Sequence, residues 1–137
     1  MFKSLKELEL QEKMVGIRFH DPRITITDGE HMYLNWKASK VMNAIPVNGN
    51  GRNYKYTQIY WDKEDKIIMF RLWKNRVRNA YSLSGSKTGN GKHGVGISAR
   101  KFVGENNLRD ECKKIGKAHF PIVKHPDYDD VWVCQVA

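Results

Sequence analysis

The segment from Tyr54 to Trp73 constrains the fold most strongly, because it has the pattern of two strands joined by a polar turn. Residues 54–61 and 66–73 are rich in aromatic and β-branched residues, which favour strands. The sequence Asp62-Lys63-Glu64-Asp65 between them is typical of a turn. This pattern predicts a β-hairpin, and therefore an antiparallel sheet.

Shorter strands are expected on both sides of this hairpin. Residues 17–27 end in the alternating sequence Ile24-Thr25-Ile26-Thr27, and Asp28-Gly29 indicates a tight turn because glycine accepts positive φ without a steric penalty. Residues 31–34 would form the return strand. Further strands are expected at 80–84, 95–97, 119–124 and 131–136, the last two as a second hairpin.

Helices are predicted where a capping residue precedes an apolar stripe. An N-terminal helix begins with the capping box Ser4-Leu5-Lys6-Glu7 and reaches about Met14. A second helix is capped by Asn35. Its expected apolar stripe consists of Ala38, Val41, Met42 and Ile45.

A third helical region follows residue 97. Ser98 is its expected cap, and Gly104 with Asn106-Asn107 would break or kink it. Gly116 would end it. Its later apolar stripe is predicted to contain Leu108, Cys112 and Ile115.

These elements fit one α+β domain over residues 1–137, with a mostly antiparallel, barrel-like sheet and short helices. Residues 1–16 would hold the N-terminal helix, residues 17–73 a first hairpin-bearing half and residues 80–137 a second. The two halves match at a constant offset of 64, which indicates an internal duplication; two unrelated hairpins on one sheet are the alternative. The matched residues are Ile59, Ile67, Phe70 and Leu72 against Val123, Val131, Cys134 and Val136.

A resemblance to a known family rests on the first half. Residues Gly29 to Asn35, the short helix after them and the hairpin Tyr56 to Leu72 with its acidic turn resemble the unit of the AbrB/SpoVT transition-state-regulator family. Asn35 stands where that family usually has proline. Two such units in one chain are similar to the MraZ-like tandem arrangement. The resemblance implies a swapped-hairpin β-barrel, oligomerisation, and DNA binding through basic residues.

Positive charge is concentrated in about one third of the chain. Residues 71–117 hold 12 basic and three acidic residues, whereas the other 90 residues hold 12 of each sign. This segment therefore carries the whole formal net charge of +9. Concentrated positive charge indicates a surface that meets a polyanion, because each phosphate that is neutralised releases a counterion.

The strongest binding candidate is the segment from Arg71 to Tyr81, in which cations lie between aromatic residues. The cations would neutralise phosphates and the aromatic rings could stack on unpaired bases; the structural alternative is a solvated connector with Trp73 in the core. The Gly-rich loop at residues 84–96 and the start of the third helix add further cations; the structural alternatives are a disordered linker for the loop and a capped, solvated helix. The predicted nucleic-acid-binding residues are Arg71, Trp73, Lys74, Arg76, Arg78, Tyr81, Lys87, Lys92, Arg100 and Lys101.

No pattern in the sequence indicates catalysis, a metal or a cofactor. The glycines from Gly89 to Gly94 spell a dinucleotide-binding pattern, but a strand-like segment follows where such a site needs a helix. The histidines and aspartates of residues 119–130 lack a known ligand spacing, so a solvated turn is the preferred interpretation. Cys112 and Cys134 form no Cys-x-x-C pair and are expected to be ordinary thiols.

The sequence therefore predicts a non-catalytic, cytoplasmic nucleic-acid-binding protein without a cofactor, with DNA favoured over RNA and with transcription regulation as its expected role. A homo-oligomer is expected from the resemblance, and no membrane segment is expected because the apolar runs are short. The alternative is a protein-interaction module, such as an accessory or inhibitor protein of a mobile element, that uses the same basic face on an acidic partner.

Overall fold

The computed structural model describes residues 21–44, 54–85 and 94–137, and its main element is a closed antiparallel barrel of eight strands. The predicted N-terminal helix lies outside these residues. The α+β class and the barrel-like antiparallel sheet are confirmed. The strands are β1 (Arg23–Ile26), β2 (Met32–Leu34), β3 (Tyr56–Asp62), β4 (Ile67–Trp73), β5 (Tyr81–Gly85), β6 (Val95–Ile97), β7 (His119–Lys124) and β8 (Val131–Gln135).

Three short helices connect the strands within the described residues. Helix α1 (Trp36–Val41) lies between β2 and β3, whereas α2 (Arg100–Glu105) and α3 (Leu108–Ile115) lie between β6 and β7. None of the described helices is long and apolar enough to span a membrane.

The strand order around the barrel is β1-β2-β6-β5-β3-β4-β8-β7. Consecutive strands pair as β1–β2, β3–β4, β5–β6 and β7–β8, and the remaining contacts join β1 to β7, β2 to β6, β3 to β5 and β4 to β8. Raising every strand number by four, with β8 followed by β1, reproduces the same pairings. Strand pairs from residues 17–73 therefore alternate around the barrel with strand pairs from residues 80–137.

The core lies inside the barrel because interior and exterior residues alternate along each strand. Ile24 and Ile26 are fully buried on β1, as are Ile68 and Phe70 on β4. The helices add further buried residues to the same core cluster: Ala38, Met42, Leu108 and Cys112.

The β3–β4 hairpin and its turn are confirmed. The Asp62 carboxylate accepts hydrogen bonds from the backbone amides of Glu64 and Asp65, each at 3.1 Å, which satisfies donors that the turn leaves free. The β1–β2 turn also forms, but the left-handed residue is Glu30 with φ of 63°, and not Gly29. The hydroxyl of Thr27 accepts from the amide of His31 at 3.1 Å and helps to close this turn.

Asn35 caps α1 as predicted, since its Oδ1 accepts from the amide of Ala38 at 2.8 Å. The same oxygen accepts from the amide of Arg23 at 3.0 Å, so the cap also holds β1. The expected burial of Val41 is wrong: it is 44% exposed, because a helix this short buries only Ala38 and Ser39, with Met42 following as its C-cap. Ile45 lies outside the described residues.

The third helical region divides as predicted but begins differently. Helix α2 follows Ala99, which has no capping side chain, so the expected cap at Ser98 is wrong by one residue. The amide of Ala99 bonds to the carbonyl of Ile97 at 2.8 Å and places the helix start after it. Asn107, with φ of 52°, separates α2 from α3.

Helix α3 ends at the predicted glycine, but one residue of its predicted apolar stripe is exposed. Gly116 ends the helix in the left-handed conformation, with φ of 67°, as glycine readily does. Leu108 and Cys112 are buried, but Ile115 is 38% exposed, so its expected place in the apolar stripe is wrong.

The proposed offset of 64 between the hairpins fits β4 and β8 but not β3 and β7. Phe70 and Cys134 are both buried, whereas Val123 is 56% exposed and cannot correspond to the buried Ile59. The interior residues of β7 are Phe120 and Ile122, and Ile122 lies 63 residues after Ile59. The connection between paired interior residues is one residue longer in the second hairpin. Ile59 pairs with Phe70 in the first hairpin, whereas Ile122 pairs with Cys134 in the second.

Candidate nucleic-acid interface

Gln58 organises a hydrogen-bonded cluster on the outer face of β3, where it alternates with the buried Thr57 and Ile59. Its Oε1 accepts from Trp73 Nε1 at 3.0 Å and from the Tyr60 hydroxyl at 3.1 Å. Its Nε2 donates to the carbonyl of Arg78 at 2.9 Å. The indole can only donate and the carbonyl can only accept, so these two partners fix the orientation of the amide.

The connector of residues 74–80 crosses β3, because it joins β4 to β5 and these strands flank β3 in the barrel. The amide of Ala80 bonds to the carbonyl of Val77 at 3.3 Å and closes a turn. Asn79 takes the left-handed conformation within it, with φ of 60°, which asparagine tolerates well. The turn and the bond from Gln58 together hold this connector on the barrel surface.

The connector presents three cations, Lys74, Arg76 and Arg78, and all three are exposed. Within the described part of the chain, none of them lies within 4.0 Å of a carboxylate. The Lys74 ammonium lies 5.9 Å from the centre of the Tyr54 ring. These charges are therefore available to an external anion.

Arg71 stands directly opposite Gln58 in the sheet and borders the same cluster. Its guanidinium lies 5.2 Å from the centre of the Trp73 ring, a cation–π distance. Its Nε also bonds to a carboxylate oxygen of Asp130 at 3.2 Å. Exposed pairs of this kind contribute about 0–1 kcal/mol, so an incoming phosphate can compete for the guanidinium.

These residues form one surface, which we call the Gln58 face. Trp73 lies on the exterior of the barrel and is half-buried, which differs from the alternative that placed it in the core. The Gln58 face consists of Gln58, Tyr60, Arg71, Trp73 and the connector residues 74–80.

Tyr81 does not extend this face. It is half-buried and packs against the core, on the interior side of β5. Burial raises the pKa of its hydroxyl, with a smaller contribution from the negative charge of Glu105. Its ring is therefore engaged in packing and is not presented for stacking.

The remaining predicted cations lie elsewhere or outside the described residues. Arg100 and Lys101 are on α2, where their side chains lie 4.0 Å from the carboxylates of Glu30 and Glu105. Among the described residues, no hydrogen bond or ion pair joins Arg100 or Lys101 to Gln58 or to the connector. Lys87 and Lys92 belong to the part of the Gly-rich loop that the structure does not describe.

Gln58 and Tyr60 are the residues that sequence reasoning missed. The alternation of β3 contains the necessary signal, since Thr57 and Ile59 face the interior and their neighbours must face outward. The sequence did not reveal that Gln58 is paired with Arg71 or that the connector folds back over it. Both features depend on strand register and on the crossing to β5.

The buried titratable groups are engaged in structure. Burial raises the pKa of both thiols, that of Cys134 to about 12, so neither is a reactive thiolate at neutral pH. Burial lowers the pKa of His119, aided by the nearby charge of Arg23, and its Nδ1 lies 2.7 Å from the Thr25 hydroxyl. Across residues 21–44, 54–85 and 94–137, no three His, Cys, Asp or Glu side chains converge as metal ligands would.

Comparison with known proteins finds no matching family model, no similar curated protein and no similar solved structure. The geometry and the charge of the Gln58 face therefore carry the functional proposal.

Proposed function

We propose that this protein binds nucleic acid, without catalysis, through the Gln58 face. The observation that carries the proposal is the connector, on which Lys74, Arg76 and Arg78 are exposed and have no carboxylate partner among the described residues. Such cations can neutralise phosphates directly, and the released counterions favour binding. Cations already paired with carboxylates would first have to leave their partners.

The cluster around Gln58 supports the proposal because it holds the connector before any ligand arrives. The bonds of the Gln58 amide to Trp73 and to the carbonyl of Arg78 tie the cations to a rigid strand pair. A surface that is already ordered loses less conformational entropy when it binds. The ring of Trp73 lies beside the Arg71 cation, and the exposed ring of Tyr60 lies on the same face, so both offer contact area to bases.

The face is also specific to one part of the barrel. Following the offsets of 63 and 64, the positions in β7 and β8 that correspond to Gln58, Tyr60 and Arg71 are occupied by Pro121, Val123 and Gln135. These residues offer no cation and no aromatic ring. The matching surface on the other side of the barrel therefore lacks the chemistry that the proposal requires.

The resemblance to the AbrB/SpoVT family and the internal duplication belong to the same proposal. The alternation of strand pairs from residues 17–73 and 80–137 supports both, as does the symmetry of the pairings under a shift of four strands. The role in transcription regulation that the resemblance implies requires, in addition, binding to duplex DNA.

The test is a salt series of binding measurements on the wild type and on the Arg76→Ala/Arg78→Ala variant. The logarithm of the affinity should fall linearly with the logarithm of salt concentration, by about 0.7 to 0.9 for each phosphate neutralised. If both arginines contact phosphates, the double variant should lower this slope by about 1.4 to 1.8. The matched control is Lys113→Ala/Lys114→Ala, which removes the same charge from α3.

The proposal fails if neither duplex nor single-stranded nucleic acid binds at low salt, or if the two double variants change the slope equally. Equal changes would show that only the net charge matters. A pull-down after nuclease treatment separates the alternative with an acidic protein partner, because such a partner would remain bound when nucleic acid is removed.

A further inference from the structure

We propose that the preferred ligand is an unpaired polynucleotide strand whose bases stack on the Gln58 face while its phosphates follow the connector. This inference rests on the proposed function and adds the strand state of the ligand. Three features carry it: the outward rings of β3 and β4, the way that Gln58 holds two of them, and the unequal distribution of charge along the hairpin.

The outward residues of β3 and β4 form successive rows across the sheet. Tyr56 pairs with Trp73, Gln58 with Arg71, and Tyr60 with Met69. Alternate residues on one strand are about 6.6 Å apart, so the three rows extend over about 13 Å. Tyr60 is 49% exposed, and Trp73 is partly exposed on the same surface. Planar groups thus lie at both ends of a short strip, on either side of Gln58.

The rings are held in place before a ligand binds. One oxygen of Gln58 accepts both the indole donor of Trp73 and the hydroxyl of Tyr60. Hydrogen bonds at these atoms occupy the edges of the rings and do not use their faces. The guanidinium of Arg71 lies over the Trp73 ring and provides a further planar group, on which unpaired bases also stack.

Charge differs between the two ends of the hairpin. The connector follows Trp73 at one end, and the turn at the other end carries three exposed carboxylates, Asp62, Glu64 and Asp65, and one exposed cation, Lys63. Six residues of β3 separate these ends by about 20 Å. A single strand can keep its phosphates at the cationic end and lay its bases toward the rings. A duplex has phosphates on both sides of its base pairs, so its second chain would approach the carboxylates.

The experiment measures fluorescence anisotropy with three labelled probes at one salt concentration. The probes are a single-stranded DNA 20-mer, the same sequence as a duplex, and an abasic 20-mer that has the phosphodiester chain without bases. The wild type should bind the single strand at least ~5-fold more tightly than either other probe, since one stacked base contributes about 5- to 160-fold.

The variant Tyr60→Ala should lower the affinity for the single strand by roughly 5- to 160-fold and leave the affinity for the abasic probe unchanged. Tyr60→Phe keeps the ring but removes the hydroxyl bond to Gln58, so it should lose much less affinity for the single strand than Tyr60→Ala does. The matched control is Tyr128→Ala, at an exposed tyrosine (55%) outside the Gln58 face, which should have no effect.

Duplex or abasic DNA bound as tightly as the single strand overturns this inference and leaves the proposed function standing. Equal losses for Tyr60→Phe and Tyr60→Ala also overturn it, because the ring is still present in the first variant. The absence of binding to all three probes at low salt would instead refute the proposed function itself.

Discussion

Replacing Gln58 with alanine tests whether one side chain holds the connector on the barrel. The substitution removes three hydrogen bonds, to Trp73, Tyr60 and the carbonyl of Arg78. Each is expected to contribute about 0.5–1.5 kcal/mol, and the two exposed bonds lie at the lower end of that range. The free energy of unfolding should therefore fall by about 1.5–2.5 kcal/mol. For a chain of this size, the melting temperature should fall by about 5–9 °C.

The same variant should also weaken nucleic-acid binding by roughly 5- to 10-fold, because the connector must then be ordered when the ligand binds. Thermal unfolding followed by circular dichroism measures the first effect, and anisotropy titration the second. The matched control is Gln135→Ala, which removes an exposed glutamine from β8 and should change neither quantity. If Gln58→Ala melts with the wild type and binds as tightly, Gln58 does not hold the connector.

Three further predictions concern the barrel itself. Gly94→Ala should lower the free energy of unfolding by about 2–4 kcal/mol in urea denaturation, because a Cβ there would lie 2.0 Å from the carbonyl oxygen of Leu34. The control is Gly96→Ala, where the nearest atom to an added Cβ would lie at 3.7 Å, and it should change the free energy of unfolding by less than about 1 kcal/mol. Asn35→Ala should lower it by about 1–3 kcal/mol, because two backbone amides lose their acceptor. Stability should decline as pH falls below the ordinary histidine pKa of 6.5, because the unfolded chain then binds a proton that His119 resists in the fold.

Each of these predictions has an opposite outcome that would contradict it. Equal stabilities of Gly94→Ala and Gly96→Ala would show that β2 and β6 do not approach as closely as the structure has them. Full stability of Asn35→Ala would mean that other groups or water replace its oxygen. His119→Gln should reduce the loss of stability below pH 6.5, and an unchanged loss would assign it to other groups.

Local interactions made part of the fold predictable. The Asp62 turn and the Asn35 cap are each formed by residues within a few positions of one another, so their sequence patterns contain the cause. The same reasoning was wrong by one residue at Ser98, because the helix begins one residue later than the capping pattern predicts. The exposure of Val41 and Ile115 depends on how little of each helix the barrel covers, which periodicity does not report.

Long-range features could not be derived from local patterns. The pairing of β1 with β7 and of β4 with β8 joins segments far apart in the chain, and it decides which surfaces are neighbours. The predicted stretch of cations is continuous in sequence, but the structure places Arg71 beside Gln58 and Arg100 on α2. The alternation of β3 predicts that Gln58 faces outward, but its role follows from strand register and from the path of the connector.

The most direct test of the central claim is to map where a nucleic acid touches the protein. A single-stranded oligonucleotide that contains 5-bromodeoxyuridine is photo-crosslinked to the protein, and the modified residues are located by mass spectrometry. Crosslinks should fall on Tyr60, Trp73 or residues 74–80 and should weaken in the Arg76→Ala/Arg78→Ala variant. Crosslinks confined to α2 and α3, with the same intensity in that variant, would contradict the assignment of the Gln58 face.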